Sequence, residues 1–253
     1  MRNPPAGVAL AAALMSAGLP ASAEVLLEAF MGKAFNRPSD FAIRQPARDT
    51  DLTFSGVSYE DKSFQPSPYY GYRVVDYFDS APWLGLSLEF LHLKAFAENG
   101  GTYRARGKRA GAPVDGDILM SEVVQAFAVT HGLNFLTLNV QARRRMLRSG
   151  AYPRGSFSPY AGFGAGAVIP FAESVVEGQD HDTGYFVSRR PSLQAFVGGR
   201  LQVQRRWLLF AEYKFTRADL RVGIDSGSAE ALFEAHNLLF GVGFVLSPSS
   251  RNP

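Results

Sequence analysis

Alternation of apolar and polar residues recurs in eight stretches of this chain and constrains its fold more than any other feature. Successive side chains of a β-strand point to opposite faces, so this period predicts strands with one apolar face. In the stretch 83–97, WLGLSLEFLHLKAFA, Leu86, Leu88 and Phe90 share one face and Glu89 lies on the other. The remaining stretches are 25–35, 69–78, 133–141, 157–171, 193–202, 209–215 and 236–246.

The first 23 residues have the organisation of a secretory signal peptide. Arg2 supplies positive charge, Val8–Leu19 is an apolar segment too short to span a membrane, and Ala21-Ser22-Ala23 fits a cleavage site. We predict cleavage after Ala23. The expected organisation is therefore a signal peptide over 1–23, a barrel domain over 24–246 and a short tail over 247–253.

The composition narrows the class of protein. An exported chain without cysteine has no disulfides, and no later stretch offers 18 consecutive apolar residues for a membrane helix. The 20 Phe, 10 Tyr and 25 Gly in alternating stretches favour an eight-stranded, up-and-down, antiparallel transmembrane β-barrel in the bacterial outer membrane. A soluble periplasmic β-sandwich is the alternative fold.

The charge balance points to no nucleic-acid partner. Without Arg2, the 26 Lys and Arg become 25, against 23 Asp and Glu, so the exported chain is nearly neutral. We expect a monomer whose partner is the lipid bilayer.

The connections between the stretches alternate in length, as in outer-membrane barrels. Asp79–Pro82 and Gln204–Arg206 are short and are predicted to be periplasmic turns. The long polar connections, predicted to be extracellular loops, are 36–66, 98–120, 172–188 and 222–234. The basic segment 143–156 is expected to be a solvated periplasmic turn without a role. Pro66 and Pro68 should block strand pairing just before the second stretch.

Six charged residues fall on the inward faces of the predicted strands. They are three acids and three bases: Glu28, Glu89, Glu212, Arg73, Arg200 and Lys214. Eight strands leave an interior that side chains can fill, and a balanced set of charges can pair there. The sequence therefore predicts a side-chain-filled plug and not a pore. A proton pathway or a catalytic acid, such as Glu89, is the functional alternative.

Two polar residues interrupt the outward apolar face of 83–97 at its far end. Counting from the turn at Pro82, a tilted strand crosses the hydrocarbon in about 9–11 residues, so His92 and Lys94 should lie on the lipid side at the outer rim. Plain interfacial polarity explains them equally well. His131 has inward register, so it can share a site with His92 only if a bulge near Gly132 turns one of them.

Several segments occur in the order found in one family of barrel proteins. They are PYYGYR at 68–73, WLGLSLEFLHLKAFA at 83–97, THGLNFLTLN from Thr130, PYAGFGAGAVIP at 159–170, RWLLFAEYKF at 206–215 and HNLLFGVGF at 236–244. The chain resembles the rhizobial-type lipid A oxidase group of outer-membrane proteins. It departs from that group in the long turn 143–156 and in the nine residues after Phe244.

The resemblance implies an oxygen-dependent oxidation of the proximal glucosamine of lipid A to 2-aminogluconate, with hydrogen peroxide released. Molecular oxygen is then a co-substrate, and lipid A, or lipopolysaccharide, is the partner in the outer leaflet. A non-enzymatic structural or adhesive barrel is the alternative from a different class of function.

Candidate site residues follow from the chemistry of such a reaction. Oxidation of a hemiacetal carbon needs a base for its hydroxyl, and the candidate catalytic residues are His92, His131 and Glu89. The candidate substrate-binding residues are Lys94, Tyr69, Tyr70, Arg104 and Arg106, the two arginines for phosphate groups. The residues available to a metal are His92, His131, Asp180, His181, Asp182 and His236, without HxH or HxxxH spacing, so a metal requirement stays undecided.

Overall fold

The chain is almost entirely β-structure. The computed structural model describes residues 22–185 and 190–248, with the side chains of 22–23, 131, 180–185 and 247–248 excepted. The strands are β1 (Ser22–Asn36), β2 (Ser39–Gln45), β3 (Thr50–Val57), β4 (Tyr59–Glu60), β5 (Tyr70–Phe78), β6 (Leu84–Ala97), β7 (Thr102–Arg109), β8 (Ala112–Leu119), β9 (Val124–Arg143), β10 (Phe157–Val176), β11 (Gln179–Tyr185), β12 (Ser192–Gln202), β13 (Trp207–Ile224) and β14 (Gly227–Pro248). No helix within the described ranges has the length and hydropathy to span a membrane.

Eight of these strands close into a ring. Their order is β1, β5, β6, β9, β10, β12, β13 and β14, and β14 pairs with β1. Each pairing is antiparallel, and neighbours in the ring follow one another along the chain. The eight predicted stretches are these eight strands, so the structure confirms the up-and-down eight-stranded barrel.

An apolar belt covers the outside of the ring. The exposed residues that form it include Leu27, Met31, Tyr72, Val74, Leu138, Val140, Phe163, Val197, Leu209, Leu238, Phe240 and Val242. A closed barrel leaves no unpaired strand edge in lipid, and such a belt is the lipid-facing surface of a transmembrane barrel. The chain is therefore a bacterial outer-membrane β-barrel.

The four segments predicted to be long outer loops contain strands that the sequence analysis does not predict. The wall continues outward, because β9, β10, β13 and β14 extend beyond the predicted stretches, and β13 joins β14 through a turn at Asp225 and Ser226. Beside β14, the strands β2, β3, β7 and β8 pair in that order into an outer sheet. The alternation in segments such as FAIRQ (41–45) and DLTF (51–54) buries Phe41, Ile43, Leu52 and Phe54 and accounts for the added strands.

The opposite end of the barrel holds the short connections. A tight turn follows β5, with Ala81 N donating to Phe78 O at 3.3 Å, and another joins β12 to β13, with Val203 N donating to Trp207 O at 3.0 Å. The segment 144–156 folds back on itself, since Met146 pairs with Phe157. The predicted signal peptide lies outside the described residues up to position 21; β1 begins at Ser22, and β14 includes the first two residues of the predicted tail.

The interior changes character along the barrel axis. The outer half is apolar, with Phe41 and Phe127 in edge contact at 4.6 Å between ring centroids and with Leu91, Leu133 and Phe135 buried. Below this apolar layer lie the predicted inward charges, and below them the lumen opens towards the periplasmic turns. The apolar layer and the charged layer together fill the space that a pore would need.

Candidate functional site

The six predicted inward charges form one buried ion-pair network. Arg73 reaches three carboxylates: its Nε donates to Glu89 Oε2 at 2.6 Å, its Nη1 to Glu28 at 3.2 Å, and its two terminal nitrogens to Glu212 at 2.8 Å each. Arg200 Nε donates to Glu28 Oε1 at 2.5 Å. The side chains of these five residues are at most 3% exposed, so the charges are compensated out of contact with water.

Lys214 and several neutral groups complete the network. Lys214 Nζ binds Glu89 and lies 3.4 Å from Glu212. Tyr160 donates to Glu212 Oε2 at 2.7 Å, and Gln194 Nε2 donates to Glu89 Oε1 at 3.2 Å. A buried ion pair needs such additional hydrogen bonds to offset the desolvation of its charges. The structure thus confirms the predicted inward, paired charges.

A bulge in β9 lies at the outer rim. The β6–β9 register jumps from the pair Leu93–Leu133 to the pair Ala95–Val129, which sets Thr130, His131 and Gly132 opposite the single residue Lys94. Gly132 has a φ of 107°, a conformation that favours glycine. A Cβ at Gly132 would collide with the imidazole of His92. This is the bulge on which a shared His92–His131 site depends, although the side chain of His131 lies outside those described.

His92 occupies a row of opposed residues across three strands. It pairs with Tyr70 on β5 and with Asn134 on β9. The Tyr70 ring stacks on the imidazole, with centroids 4.8 Å apart and planes at 21°. His92 Nδ1 lies 2.8 Å from Asn134 Oδ1.

The hydrogen bonds of Asn134 determine the tautomer of His92. Asn134 Nδ2 donates to the carbonyls of Gly132 at 3.3 Å and Ile169 at 3.1 Å, so its Oδ1 is the acceptor that faces the imidazole. His92 Nδ1 must therefore carry the proton, and Nε2 is the basic nitrogen of the neutral ring. The hydrogen bond to Asn134 thus fixes the imidazole with its basic Nε2 on the far side of the ring, as a general base requires.

His92 and Lys94 have the predicted outward register, but the expectation that they face lipid directly is wrong. His92 is 4% exposed and Lys94 is 7% exposed. The Tyr70 ring lies against His92, and Lys94 Nζ donates to the carbonyl of Pro66 in the segment 61–69, which leads into β5 without strand pairing. The prolines of this segment act as predicted: they keep it off the sheet, and it covers the outer rim.

The segment 61–69 is tied to the barrel wall. Asp61 accepts from Lys33 Nζ and from the Ser63 amide, each at 2.7 Å. Burial alone would raise the pKa of Asp61, but these hydrogen bonds, from Lys33 first, outweigh it and hold the pKa below its ordinary value. The carboxylate is therefore ionised at neutral pH and keeps the cover in place.

Two candidate residues lie away from His92. Glu89 points into the lumen, because it is three positions from the outward-facing His92 on β6. The Tyr69 ring, just before β5, lies beside Gly32 of β1. Glu89 is committed to the ion-pair network, and the Tyr69 side chain is 1% exposed. Neither can act on a substrate that meets His92 from the lipid side. Among the candidate side chains that the structure describes, Tyr70 stacks on His92, and Lys94 lies two positions further along the same face of β6.

The candidate arginines of the outer surface lie in a different region. Arg104 and Arg106 are on β7 of the outer sheet, where both pair with Asp115, at 2.6 and 3.4 Å. These exposed contacts leave the guanidinium groups accessible to solvent. They do not form part of the cluster around His92.

The remaining candidate metal ligands do not assemble among the described side chains. Within that part of the chain, no group of three or more His, Cys, Asp or Glu could hold a metal ion. His236 Nδ1 instead lies 2.6 Å from the Tyr213 hydroxyl on the outer wall. The side chains of His131, Asp180, His181 and Asp182 lie outside those described.

Asn134, the hydrogen-bond partner of His92, is a candidate site residue that the sequence analysis does not include. The sequence does contain a signal for it: Asn134 is a polar residue in the outward register of Leu136 and Leu138, two positions after the glycine of the bulge. Tyr160 and Gln194 are absent from the predicted interior set because that set contains charged residues only.

Comparison with known proteins gives a likeness of fold only. No protein-family model and no curated protein sequence matches this chain. The outer-membrane protein OprG from Pseudomonas aeruginosa aligns over 89% of this chain and 96% of its own, with 11% identity and a TM-score of 0.45. AlkL, solved in lipid bilayers, aligns over 100% of both chains, with 11% identity and a TM-score of 0.44. The outer-membrane protease OmpT from Escherichia coli aligns over 91% of this chain and 99% of its own, with 9% identity and a TM-score of 0.39. Similarity at this level implies no function.

Proposed function

We propose that this barrel is a lipid A-modifying oxidase that works on the outer leaflet from its outer wall. The substrate is lipid A with a free hemiacetal at the proximal glucosamine, and the product is the 2-aminogluconate form. The observation that carries the proposal is the oriented pair His92–Asn134 beside Lys94, in outward register at the outer rim. Resemblance of the ordered segments to the lipid A oxidase group supports the same reaction.

The proposed reaction is a two-electron oxidation at C1 of the sugar. The C1–H bond and the hydroxyl O–H bond break, a C1=O bond forms, and O₂ receives two electrons and two protons to give hydrogen peroxide. Water then opens the resulting lactone, so the lipid gains one oxygen atom. His92 Nε2 takes the hydroxyl proton as general base, because Nδ1 is already protonated towards Asn134.

The neighbouring residues have positioning roles in this proposal. Lys94 and Tyr70 orient the sugar, and His131, on the bulge, is the second candidate base. Because side chains fill the barrel interior, the lipid reaches the site laterally, from the outer leaflet of the membrane. Because His92 is buried under Tyr70, and Lys94 is bonded to Pro66, the substrate must displace the segment 61–69 to reach the base.

The experiment is incubation of the purified protein with lipid A in detergent, under air and under nitrogen, followed by mass measurement of the lipid. We expect a gain of one oxygen under air only. The His92→Gln variant should lose about 10²–10⁴-fold in rate, the contribution typical of a general base. Asn134→Leu should slow the reaction and shift its pH–rate profile, and His131→Gln tests the second base.

A structural or adhesive barrel is the second candidate. The observation that favours it is the outer sheet of β2, β3, β7 and β8, which extends the wall beyond the membrane and ends on the edge strand β8. Correctly folded protein that changes the mass of no lipid A species under air would support this candidate and overturn the oxidase.

A further inference from the structure

An open groove of about 840 Å³ crosses five strands on the outer wall of the barrel, within the apolar belt. One row of opposed, outward residues follows it across β5, β1, β14, β13 and β12: Tyr70, Met31, Phe240, Ala211 and Gly199. Ala211 and Gly199, with Ala29 in the neighbouring row, are small residues among large ones, and this difference in size makes the depression. Its volume is in the range of pockets that hold small organic ligands.

The row descends from the outer rim into the membrane. It starts at Tyr70, the first residue of β5, and reaches Gly199, three residues before the periplasmic end of β12. Four strand spacings of about 4.8 Å make it about 19 Å long. Because barrel strands tilt by about 35–45°, a row across them descends by about 11–13 Å, and one hydrocarbon leaflet is about 15 Å thick. The groove therefore has the length and the direction of one acyl chain of the outer leaflet.

The outer end of the groove is next to His92. Tyr70 lines the groove and stacks on the imidazole, and Pro68, in the cover segment 61–69, lines it too. The Tyr72 ring packs edge-on against Tyr70, with centroids 5.8 Å apart, and continues this aromatic wall away from the rim. A lipid with its sugar at His92 would therefore have the groove directly below its headgroup.

We propose that this groove binds one acyl chain of the lipid A molecule whose proximal sugar meets His92. The inference rests on the proposed function and deepens it, because it makes a chain of the lipid part of what the site recognises. An acyl chain is surrounded by apolar groups before it binds, so its selectivity for the groove comes from close packing and not from burial alone. The seated chain in turn holds the sugar at the level of His92.

The test is titration of the detergent-solubilised barrel with lipid A under nitrogen, followed by native mass spectrometry, which counts bound lipids and resolves monomer from dimer. Without O₂ the proposed oxidation cannot occur, so binding is measured apart from turnover. The first variant, Ala29→Leu with Ala211→Leu, fills the groove. The matched control, Ala161→Leu with Ala195→Leu, makes the same change at two exposed alanines of the outer wall that do not line it. Heat-modifiable migration on gels verifies that both variants fold.

We expect the wild-type barrel to bind one lipid A saturably. The affinity should be about tenfold lower in the first variant, because the added side chains take the space of several chain carbons, and should change within about twofold in the control. Equal affinities of the two variants, or no saturable binding by the wild-type barrel, would overturn the proposal. A dimer that only the first variant loses, without bound lipid A, would also overturn it and show that the groove is a contact between copies of this chain.

The assay under air separates this proposal from the proposed function. If lipid A binds with the expected dependence on the groove but its mass does not change under air, the oxidase is wrong and the chain-binding groove stands. If lipid A is oxidised under air with the same KM in both variants, the groove proposal is wrong and the oxidase stands.

Discussion

Arg73 and Glu212 join opposite walls of the barrel through two parallel hydrogen bonds, Nη1–Oε2 and Nη2–Oε1, each of 2.8 Å. Their strands, β5 and β13, are separated in the ring by β1 and β14, so the contact crosses the lumen. Both side chains are fully buried. The planar fork of arginine allows one cation to bind this carboxylate and still reach Glu28 and Glu89.

Substitution of Arg73 by Met should destabilise the barrel strongly. Three fully buried carboxylates would lose their common partner, and breaking a buried pair in this way typically costs about 3–5 kcal/mol. The measurement is unfolding by urea in detergent, with the folded fraction at each urea concentration determined from heat-modifiable migration on gels. Arg104→Met, which breaks an exposed pair with Asp115, is the control and should leave the midpoint nearly unchanged. Equal effects of the two substitutions would show that the network does not stabilise the fold.

The filled interior predicts that the barrel does not conduct ions. The lumen of an eight-stranded ring is narrow, and here the charged layer and the apolar layer above it occupy it. Planar-bilayer recordings of the wild-type protein should therefore show no sustained single-channel current. A steady conductance that the Arg73→Met variant alters would contradict the filled lumen.

Gly132→Ala should lower stability and disturb His92. The substitution places a Cβ at a φ of 107°, where L-residues are strained by about 1–3 kcal/mol, and pushes it against the imidazole. Urea unfolding measures the first effect, and the chemical shifts of the labelled His92 ring measure the second. Gly150→Ala is the control, because a Cβ there meets nothing within 4 Å. An unchanged His92 signal in Gly132→Ala would mean that the bulge does not position the ring.

The cover over the outer rim should resist mild acid. The pKa of Asp61 is lowered in the folded protein, so its contribution to stability is complete above the ordinary value and is lost as pH falls through the folded value. Hydrogen exchange in 61–69, corrected for intrinsic rates, should be constant from neutral pH down to about 4, near the ordinary carboxyl value, and rise below it. Asp61→Asn should expose the segment at every pH. Protection that fades between pH 7 and 5 would contradict this role of Asp61.

The sequence predicted the barrel well because its signal is local. Register alone placed Glu28, Arg73 and Glu212 on the inward face, since each neighbouring residue on a strand faces the other way. The same rule could not show which charges meet, because Arg73 and Glu212 are brought together only when the ring closes. Network partners are a property of tertiary structure.

The outer part of the chain was harder to predict. Polar, glycine-containing segments such as 98–120 are typical of loops, but here β7 pairs with β3 and β8 pairs with β7, which makes both of them strands. Likewise, outward register predicts that His92 faces lipid. The Tyr70 ring that stacks on it belongs to another strand, so no local sequence pattern predicts the contact. The contact with Asn134 depends on the bulge at Gly132. The sequence analysis names this bulge only as the condition for a shared site of His92 and His131.

Oxygen consumption by the purified barrel in the presence of lipid A tests the proposed oxidase most directly. We predict that each lipid A molecule oxidised consumes one O₂ and releases one hydrogen peroxide, as the balanced two-electron reaction requires. His92→Gln, verified as folded, should lower uptake of O₂ and release of peroxide together, by about 10²–10⁴-fold. Folded wild-type protein that consumes no O₂ above the His92→Gln background, with lipid A carrying a free hemiacetal, would contradict the proposed activity.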